Sequence, residues 1–190
     1  MPRTAPFVGI CVLVSILSIV ALAQTQSPYP PAQPKRLISD ATSAARGEQL
    51  VMLGGCNDCH TPKLPGGRLN VSRLLSGQPL GGPVPPAAPG AVTTNMHLTA
   101  WRGPWGVSMS RNITPENETG IGTWSLADFK RTIRTGVDPK GQVLNPPMPI
   151  PTLQNLPDED LEAIYNYLRT VKAVRNDTSG KAAPLAKSTK

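Results

Sequence analysis

The segment Cys56-Asn57-Asp58-Cys59-His60 sets two thiols three positions apart and an imidazole directly after the second. Two cysteines at that spacing can reach the two vinyl groups on one edge of a porphyrin and form thioethers. A histidine in the next position can swing beneath the ring and ligate the iron. The pattern reads as the attachment site of one c-type haem. Other chemistries for two neighbouring cysteines fit less well. A disulfide leaves His60 without a role. A thioredoxin-like pair needs a strand before the motif within a βαβ unit, and no such pattern precedes Cys56. A structural zinc ion needs four ligands; only His97 could join the cluster, and adjacent Cys59 and His60 would struggle to share one tetrahedral ion.

The sixth iron ligand decides what such a haem does. An open position permits gas binding or peroxide chemistry, whereas a methionine closes it and raises the potential for electron transfer. The candidates are Met52, Met96, Met109, Met148 and His97. Met52 precedes the motif within the same expected helix and cannot readily reach the opposite face of the ring. Met148 sits between Pro147 and Pro149, which deny it a helix and stiffen its backbone, and it directly precedes the last helix. It is the leading candidate, with Met109 and His97 as alternatives.

These side chains need elements to hold them. A helix is expected over Asp40 to Leu53, capped by Ser39 or Asp40 and stopped at Gly54-Gly55, so that it delivers the chain straight into the cysteine motif. From Thr61 to Gly106 the sequence is dense in turn residues, including Gly66-Gly67, Gly81-Gly82 and Pro83 to Gly90. One short helix is expected over Arg68 to Leu75 and one extended segment over Val107 to Ile113. Ser125, with Asp128 three positions on, starts a helix that carries Phe129 and Ile133 and stops at Gly136. The clearest element is the last. Leu161, Ile164, Leu168 and Val171 recur at helical spacing, behind acids 158–160 and ahead of Arg169 and Lys172. No alternating strand pattern is present, so the expected fold is all-α with long Pro/Gly-rich loops.

The composition agrees: 22 Pro and 17 Gly in 190 residues imply much irregular chain. The formal charge of +7 comes without a dense basic run, and aromatics are only 4%, which leaves little for nucleic acid to stack on. Nucleic acid is therefore not an expected partner. Arg3 precedes an apolar run from Phe7 to Ala23 that closes with Ala21-Leu22-Ala23 before Gln24, a small-x-small cleavage pattern. Residues 1–23 are read as a signal peptide, 24–39 as a Pro-rich linker, 40–175 as the folded domain and 176–190 as a basic flexible tail. The chain is expected in the periplasm, anchored to the membrane only if the first segment is retained. Cys11 lies within that segment, so cleavage leaves Cys56 and Cys59 as the only cysteines.

Further blocks carry a family resemblance: Gly55-Cys56 to Thr61, Gly103-Pro104-Trp105-Gly106-Val107, Asn112-Ile113-Thr114-Pro115, Thr119-Gly120-Ile121-Gly122-Thr123-Trp124, Pro146-Pro147-Met148-Pro149, and Asp160-Leu161 through Tyr167-Leu168. From about Asp40 to Val174 the chain resembles a class I cytochrome c. It is most similar to the cytochrome c domains that accompany bacterial membrane-associated dehydrogenases. The resemblance implies thioether anchors at Cys56 and Cys59, axial ligands at His60 and Met148, and first and last helices that cross with Gly47 against Tyr167 or Tyr165. Dehydrogenase-linked members often carry three such domains, whereas this chain has one attachment motif, so a single haem c is expected.

Arg111, Asn112 and Trp124 are the expected contacts of the haem propionates, because an arginine fork and an indole N–H both suit a carboxylate. The free ring N–H of His60 should be held by a backbone carbonyl, with Pro62, Pro65 and Pro79 near enough in sequence to supply it. Asn112-Ile-Thr and Asn117-Glu-Thr match glycosylation sequons and are read as turns. The expected function is single-electron transfer without catalysis, between a dehydrogenase or quinol-oxidising complex as donor and an oxidase or reductase as acceptor. The alternative is a haem enzyme or gas sensor with an open, peroxidase-like distal site built from His97 and Arg102.

Overall fold

The structure, a computed structural model, describes residues 40–178. The expected signal peptide (1–23), the linker (24–39) and residues 179–190 of the expected tail lie outside the described residues. The described part contains helices α1 (Asp40–Leu53), α2 (Cys56–His60), α3 (Leu126–Thr135), α4 (Ile150–Leu153) and α5 (Asp158–Thr170). Strands β1 (Thr93–Thr94), β2 (Ala100–Gly103) and β3 (Gly106–Met109) lie between α2 and α3.

The frame is the packing of α1 on α5. It is pinned at one end by the Arg46–Asp160 ion pair at 3.1 Å and in the middle by Asn166 Nδ2 donating to Ser43 Oγ at 3.0 Å. Gly47 sits at the crossing against Ala163 and Tyr167. This settles the expected glycine–aromatic pair on Tyr167. Tyr165 turns instead toward α3, with its ring 5.7 Å from Phe129 and its hydroxyl donating to the Trp124 carbonyl. The core between these helices is Val51, Leu75, Ile121, Phe129, Ile133, Leu161, Ile164 and Leu168.

The end of each helix follows from local chemistry. Ser125 Oγ accepts from the Asp128 N–H and the Asp128 carboxylate accepts from the Ser125 N–H, the expected capping box of α3. Gly136, left-handed at φ 69°, ends it. Asp158, in the first turn of α5, also binds Arg134 at 2.6 Å and Lys130 at 3.4 Å, so its charge ties α5 to α3 as well as meeting the helix dipole. Helix α5 stops at Thr170, where Val171 turns extended. The expected cap of α1 lies outside the described side chains.

The all-α expectation accounts for the helical frame but not for the antiparallel sheet, which pairs β1 with β2 and β2 with β3. Strands of two to four residues are too short to show the alternation by which a strand is recognised. Only β3 overlaps an expected extended segment, the one that starts at Val107. The sheet is held from inside by Asn95, whose side chain accepts from the Thr99 N–H and donates to Gln78 Oε1 at 3.0 Å and the Pro83 carbonyl at 2.9 Å. The helix expected over Arg68 to Leu75 is reduced to one 3-10 turn, Val71–Arg73, capped by Asn70.

The domain runs past residue 175. Asn176 is buried, donates to the carbonyls of Ser76 and Gln78 at 2.7 and 2.8 Å, and accepts from the Leu80 N–H at 3.2 Å. Residues 176–178 therefore belong to the folded body rather than to a flexible tail. Among the described residues no helix is long and apolar enough to cross a membrane.

Candidate haem site

Helix α1 ends with Gly54 N–H on the Leu50 carbonyl and Gly55 N–H on that of Met52. Gly55 then takes a left-handed φ of 65° and serves as the N-cap of α2. That reversal is what lets a second helix begin so soon after the first ends. Helix α2 is little more than one turn, so Cys56 and Cys59, three apart, lie on one face with His60 at the adjacent corner. The two thiols are not bonded to each other, and both are partly exposed. Burial pushes the Cys56 thiol up to about 11 and raises that of Cys59 as well. Burial thus disfavours the thiolate form in which a cysteine binds a bare metal ion. Among the described residues, no three His, Cys, Asp or Glu side chains converge to hold such an ion.

His60 is buried, and burial lowers its proton affinity, so the imidazole is neutral. Its Nδ1–H donates to the Arg111 carbonyl at 2.8 Å. That bond fixes the tautomer and leaves the Nε2 lone pair for a metal. The acceptor is not one of the nearby prolines. It comes from a residue 51 positions away, brought in by the segment 75–78. Gly77 N–H donates to the His60 carbonyl at 2.7 Å, Gln78 N–H to that of Ser110 at 2.9 Å, and Ile113 N–H to that of Leu75 at 3.0 Å. Thr61 Oγ accepts from the Leu75 N–H at 2.9 Å and closes the same layer.

Lys63 completes the attachment turn. Its ammonium donates to the carbonyls of Asn57 at 3.3 Å and Thr61 at 2.8 Å, and to that of Asp58. The Asn57 carbonyl also accepts the Thr61 N–H at 3.1 Å, so the ammonium adds a second donor there and caps the chain as it leaves the helix. His97 is drawn to the same place, its Nδ1 accepting from the Lys63 N–H at 3.2 Å.

Of the methionines, Met52 and Met96 are 66% and 80% exposed, and Met109 is held in β3 opposite Ala100. Met148 is half-buried and packs against the same hydrophobic cluster that Cys56 touches. It lies in a turn whose Pro146–Pro147 bond is cis and whose Met148 N–H donates to the Asn145 carbonyl at 3.2 Å.

The expected propionate contacts divide. Asn112 is buried and spent: Nδ2 donates to Thr119 Oγ and the Val174 carbonyl, and Oδ1 accepts from the Thr114 N–H and hydroxyl. No side-chain donor remains for a carboxylate, and the residue instead locks the chain after α5 onto the 112–119 turn. The Thr114 N–H on Asn112 Oδ1 at 3.0 Å closes a side-chain turn at the first sequon. The Arg111 guanidinium is engaged by Asp138 at 2.5 Å. Trp124 packs partly buried on the core, and its indole N–H enters none of the hydrogen bonds among the described residues. The Trp124 indole and the guanidinium N–H groups of Arg111 that Asp138 does not take are left to meet a carboxylate.

Sequence reasoning missed Gly77, Lys63, Asp138 and the carbonyl of Arg111. None lies in a local pattern, because each works through a partner brought near only by the fold. A glycine or a lysine in a turn-rich stretch announces nothing by its type.

The donor set fits a covalently attached haem: two protonated thiols on one helical face, and a neutral histidine with a single nitrogen lone pair directed by its backbone acceptor. Comparison with known proteins gives the same answer. The family model for cytochrome c matches residues 44–172. The gluconate 2-dehydrogenase cytochrome c subunit of Pantoea cypripedii is 33% identical over 158 residues, 83% of this chain and 27% of the relative. The cytochrome c subunit of the quinone-dependent alcohol dehydrogenase of Gluconobacter oxydans is 31% identical over 129 residues, 68% and 21%. One of the subunits of nicotinate dehydrogenase from Pseudomonas putida is 34% identical over 137 residues, 72% of this chain and 9% of the relative. The chain thus spans under a third of the length of each of these relatives, and it belongs to the cytochrome c family of haem-carrying electron-transfer proteins.

Proposed function

We propose that this chain is a class I cytochrome c that passes single electrons through one haem, with thioether bonds at Cys56 and Cys59 and axial ligation by His60 Nε2 and the Met148 thioether. The observation that carries the reading is the 2.8 Å bond from His60 Nδ1 to the Arg111 carbonyl, which aims one defined nitrogen away from the backbone directly beside two unpaired thiols. The haem supplies a one-electron iron couple. The protein's part is to hold the ligands without rearrangement, to keep His60 neutral and to shield one face with core side chains. Met148 is the favoured sixth ligand because it packs on the cluster that Cys56 touches.

The cellular role we assign is that of electron acceptor, or bound cytochrome subunit, of a dehydrogenase or respiratory complex on the periplasmic side. The names of the gluconate and alcohol dehydrogenase relatives support it, as does the export signal read in residues 1–23. The open-site alternative draws no support from the placement of its residues. His97 is tied to Lys63, and Arg102 Nε donates to the Pro85 carbonyl at 2.9 Å.

An absorption spectrum of the purified protein tests the assignment. The ferric form should show the weak red charge-transfer band of a methionine–iron bond, and Met148→Ala should lose it. A wild type without the band, whose ferrous form binds carbon monoxide readily, would replace the carrier with a ligand-binding haem.

A further inference from the structure

Arg111 faces two ways. Its carbonyl accepts the His60 Nδ1–H, and its guanidinium Nη1 donates to Asp138 Oδ2 at 2.5 Å. The two ends of one residue thus reach the histidine that follows the cysteine pair and a carboxylate in the loop after α3. The Asp138 side chain is 2% exposed, against 34% for Arg111. A carboxylate so buried is tolerated only when its oxygens are satisfied, and these are. Besides the arginine, Oδ1 accepts from the N–H groups of Lys140 at 2.9 Å and Gln142 at 2.8 Å.

Those bonds shape the loop that leads to Met148. Asp138 N–H donates to the Gln142 carbonyl and Gly141 N–H to that of Asp138, while Val137 and Val143 form an antiparallel bridge. Leu144 N–H then returns to the Gly136 carbonyl at 2.8 Å, and the chain passes directly into Asn145-Pro146-Pro147-Met148. The stem of the methionine loop is therefore organised around one buried carboxylate, whose ion-pair partner among the described residues is the residue that orients His60.

We infer that Asp138 is a positioning residue that couples the two axial ligands, using its ion pair with Arg111 to hold the His60 acceptor and the Met148 loop in one fixed relation. The inference rests on the His60/Met148 ligation proposed above. Asp138 touches neither ligand and acts only through Arg111 and the loop backbone. The weak point it protects is the ferric state, because a soft thioether binds the harder ferric ion less well than the ferrous. Partners one step removed from a metal ligand typically change its binding by about tenfold or more.

The test uses the haem-loaded protein and Asp138→Asn, which keeps the size and the Oδ1 contacts but removes the charge. Imidazole is titrated into the ferric form while the methionine–iron band is followed. Exchange of the His60 Nδ1 proton with solvent is measured by NMR. The variant should bind imidazole about tenfold more tightly than the wild type, and its His60 proton should exchange faster by a similar factor. Arg46→Gln, which breaks an ion pair on the far helical frame, should leave both readouts unchanged. Equal effects of the two variants would mean general loosening and would overturn the inference, as would imidazole binding within about twofold of wild type in Asp138→Asn. If that variant does not fold, Arg111→Lys takes its place. It keeps the backbone carbonyl and the charge but loses the fork, and should shift imidazole binding about threefold; no shift overturns the inference. A wild type lacking the methionine band would remove the ligation itself, and this inference with it, whereas a normal wild-type band with unchanged variants removes the coupling alone.

Discussion

Gly47 of α1 and Ala163 of α5 approach so closely that a Cβ on the glycine would stand 1.9 Å from the Ala163 carbonyl oxygen, and 2.8 Å from the Tyr167 Cβ. Contacts this short to backbone cannot be relieved by a rotamer change. The crossing of the two helices therefore depends on an absent side chain.

Gly47→Val should force α1 and α5 apart along the whole core they share. Overpacking of this kind costs about 3 kcal/mol, and here the obstructing atom is backbone. Thermal unfolding of the haem-loaded protein should show a markedly lower Tm. A Tm indistinguishable from that of the wild type would mean that the helices do not meet as described.

Gly77 makes the second obligatory close approach. It is left-handed at φ 77°, and a Cβ there would stand 2.3 Å from the Ser110 carbonyl oxygen and 2.6 Å from the Arg111 carbonyl carbon. Gly77→Ala combines left-handed strain of about 1–2 kcal/mol with displacement of the segment that presents the His60 acceptor. The expected outcome is a protein with less covalently attached haem per chain, read from absorbance against protein mass, and a lower Tm in the fraction that is loaded. Full attachment at unchanged Tm would count against the role given to the 75–78 segment.

The acid limb of stability is set by surface carboxylates whose partners hold them below the usual range. Glu116 is lowered by hydrogen bonds from Thr119, Asp128 by those from Ser125, and Asp158 by the Arg134 guanidinium. A depressed folded-state pKa means that the stabilisation is complete above the unfolded value and is lost as pH falls through the folded one. The contribution of these carboxylates to Tm should stay level from neutral pH to about pH 5 and fall between roughly pH 4 and 2. Because these groups lie at the surface, Asp158 exposed and Glu116 and Asp128 half-buried, solvent screening keeps each effect small. A triple variant with Glu116→Gln, Asp128→Asn and Asp158→Asn should start lower at neutral pH and fall less steeply. Parallel curves for the two proteins would assign the acid sensitivity elsewhere.

What was legible in the chain follows from range of interaction. The cysteine motif, the Ser125–Asp128 cap, the Gly136 stop and the apolar stripe of α5 are all set by near neighbours in sequence, and each stands where local chemistry puts it. The sheet is missed because its strands are too short to carry a pattern, and the burial of Asn176 and the acceptor of His60 depend on pairs far apart in sequence. No side-chain type signals such a pair in advance. Asn112 shows the same limit from the other side. Its amide suited a carboxylate of the cofactor, but the fold supplied protein partners first, in Thr114, Thr119 and Val174.

Lys63 offers a test of electrostatics at the attachment turn. Its ammonium is spent on three carbonyls at the end of α2, and burial lowers its proton affinity while the carboxylate of Asp58 raises it. A cation fixed one turn from Cys59 favours the reduced iron, which carries one positive charge fewer. Lys63→Met keeps most of the stem and removes the charge, so the reduction potential should fall, by on the order of 30 mV, about half of a tenfold step for one electron. The same variant removes the lysine donor from the Asp58 and Thr61 carbonyls and should also lower Tm slightly. Lys63→Arg separates the two effects: it restores charge and donors in a different shape and should recover most of the potential. A potential unchanged in Lys63→Met would show that solvent screens the ammonium from the iron, leaving the lysine only its part in closing the helix.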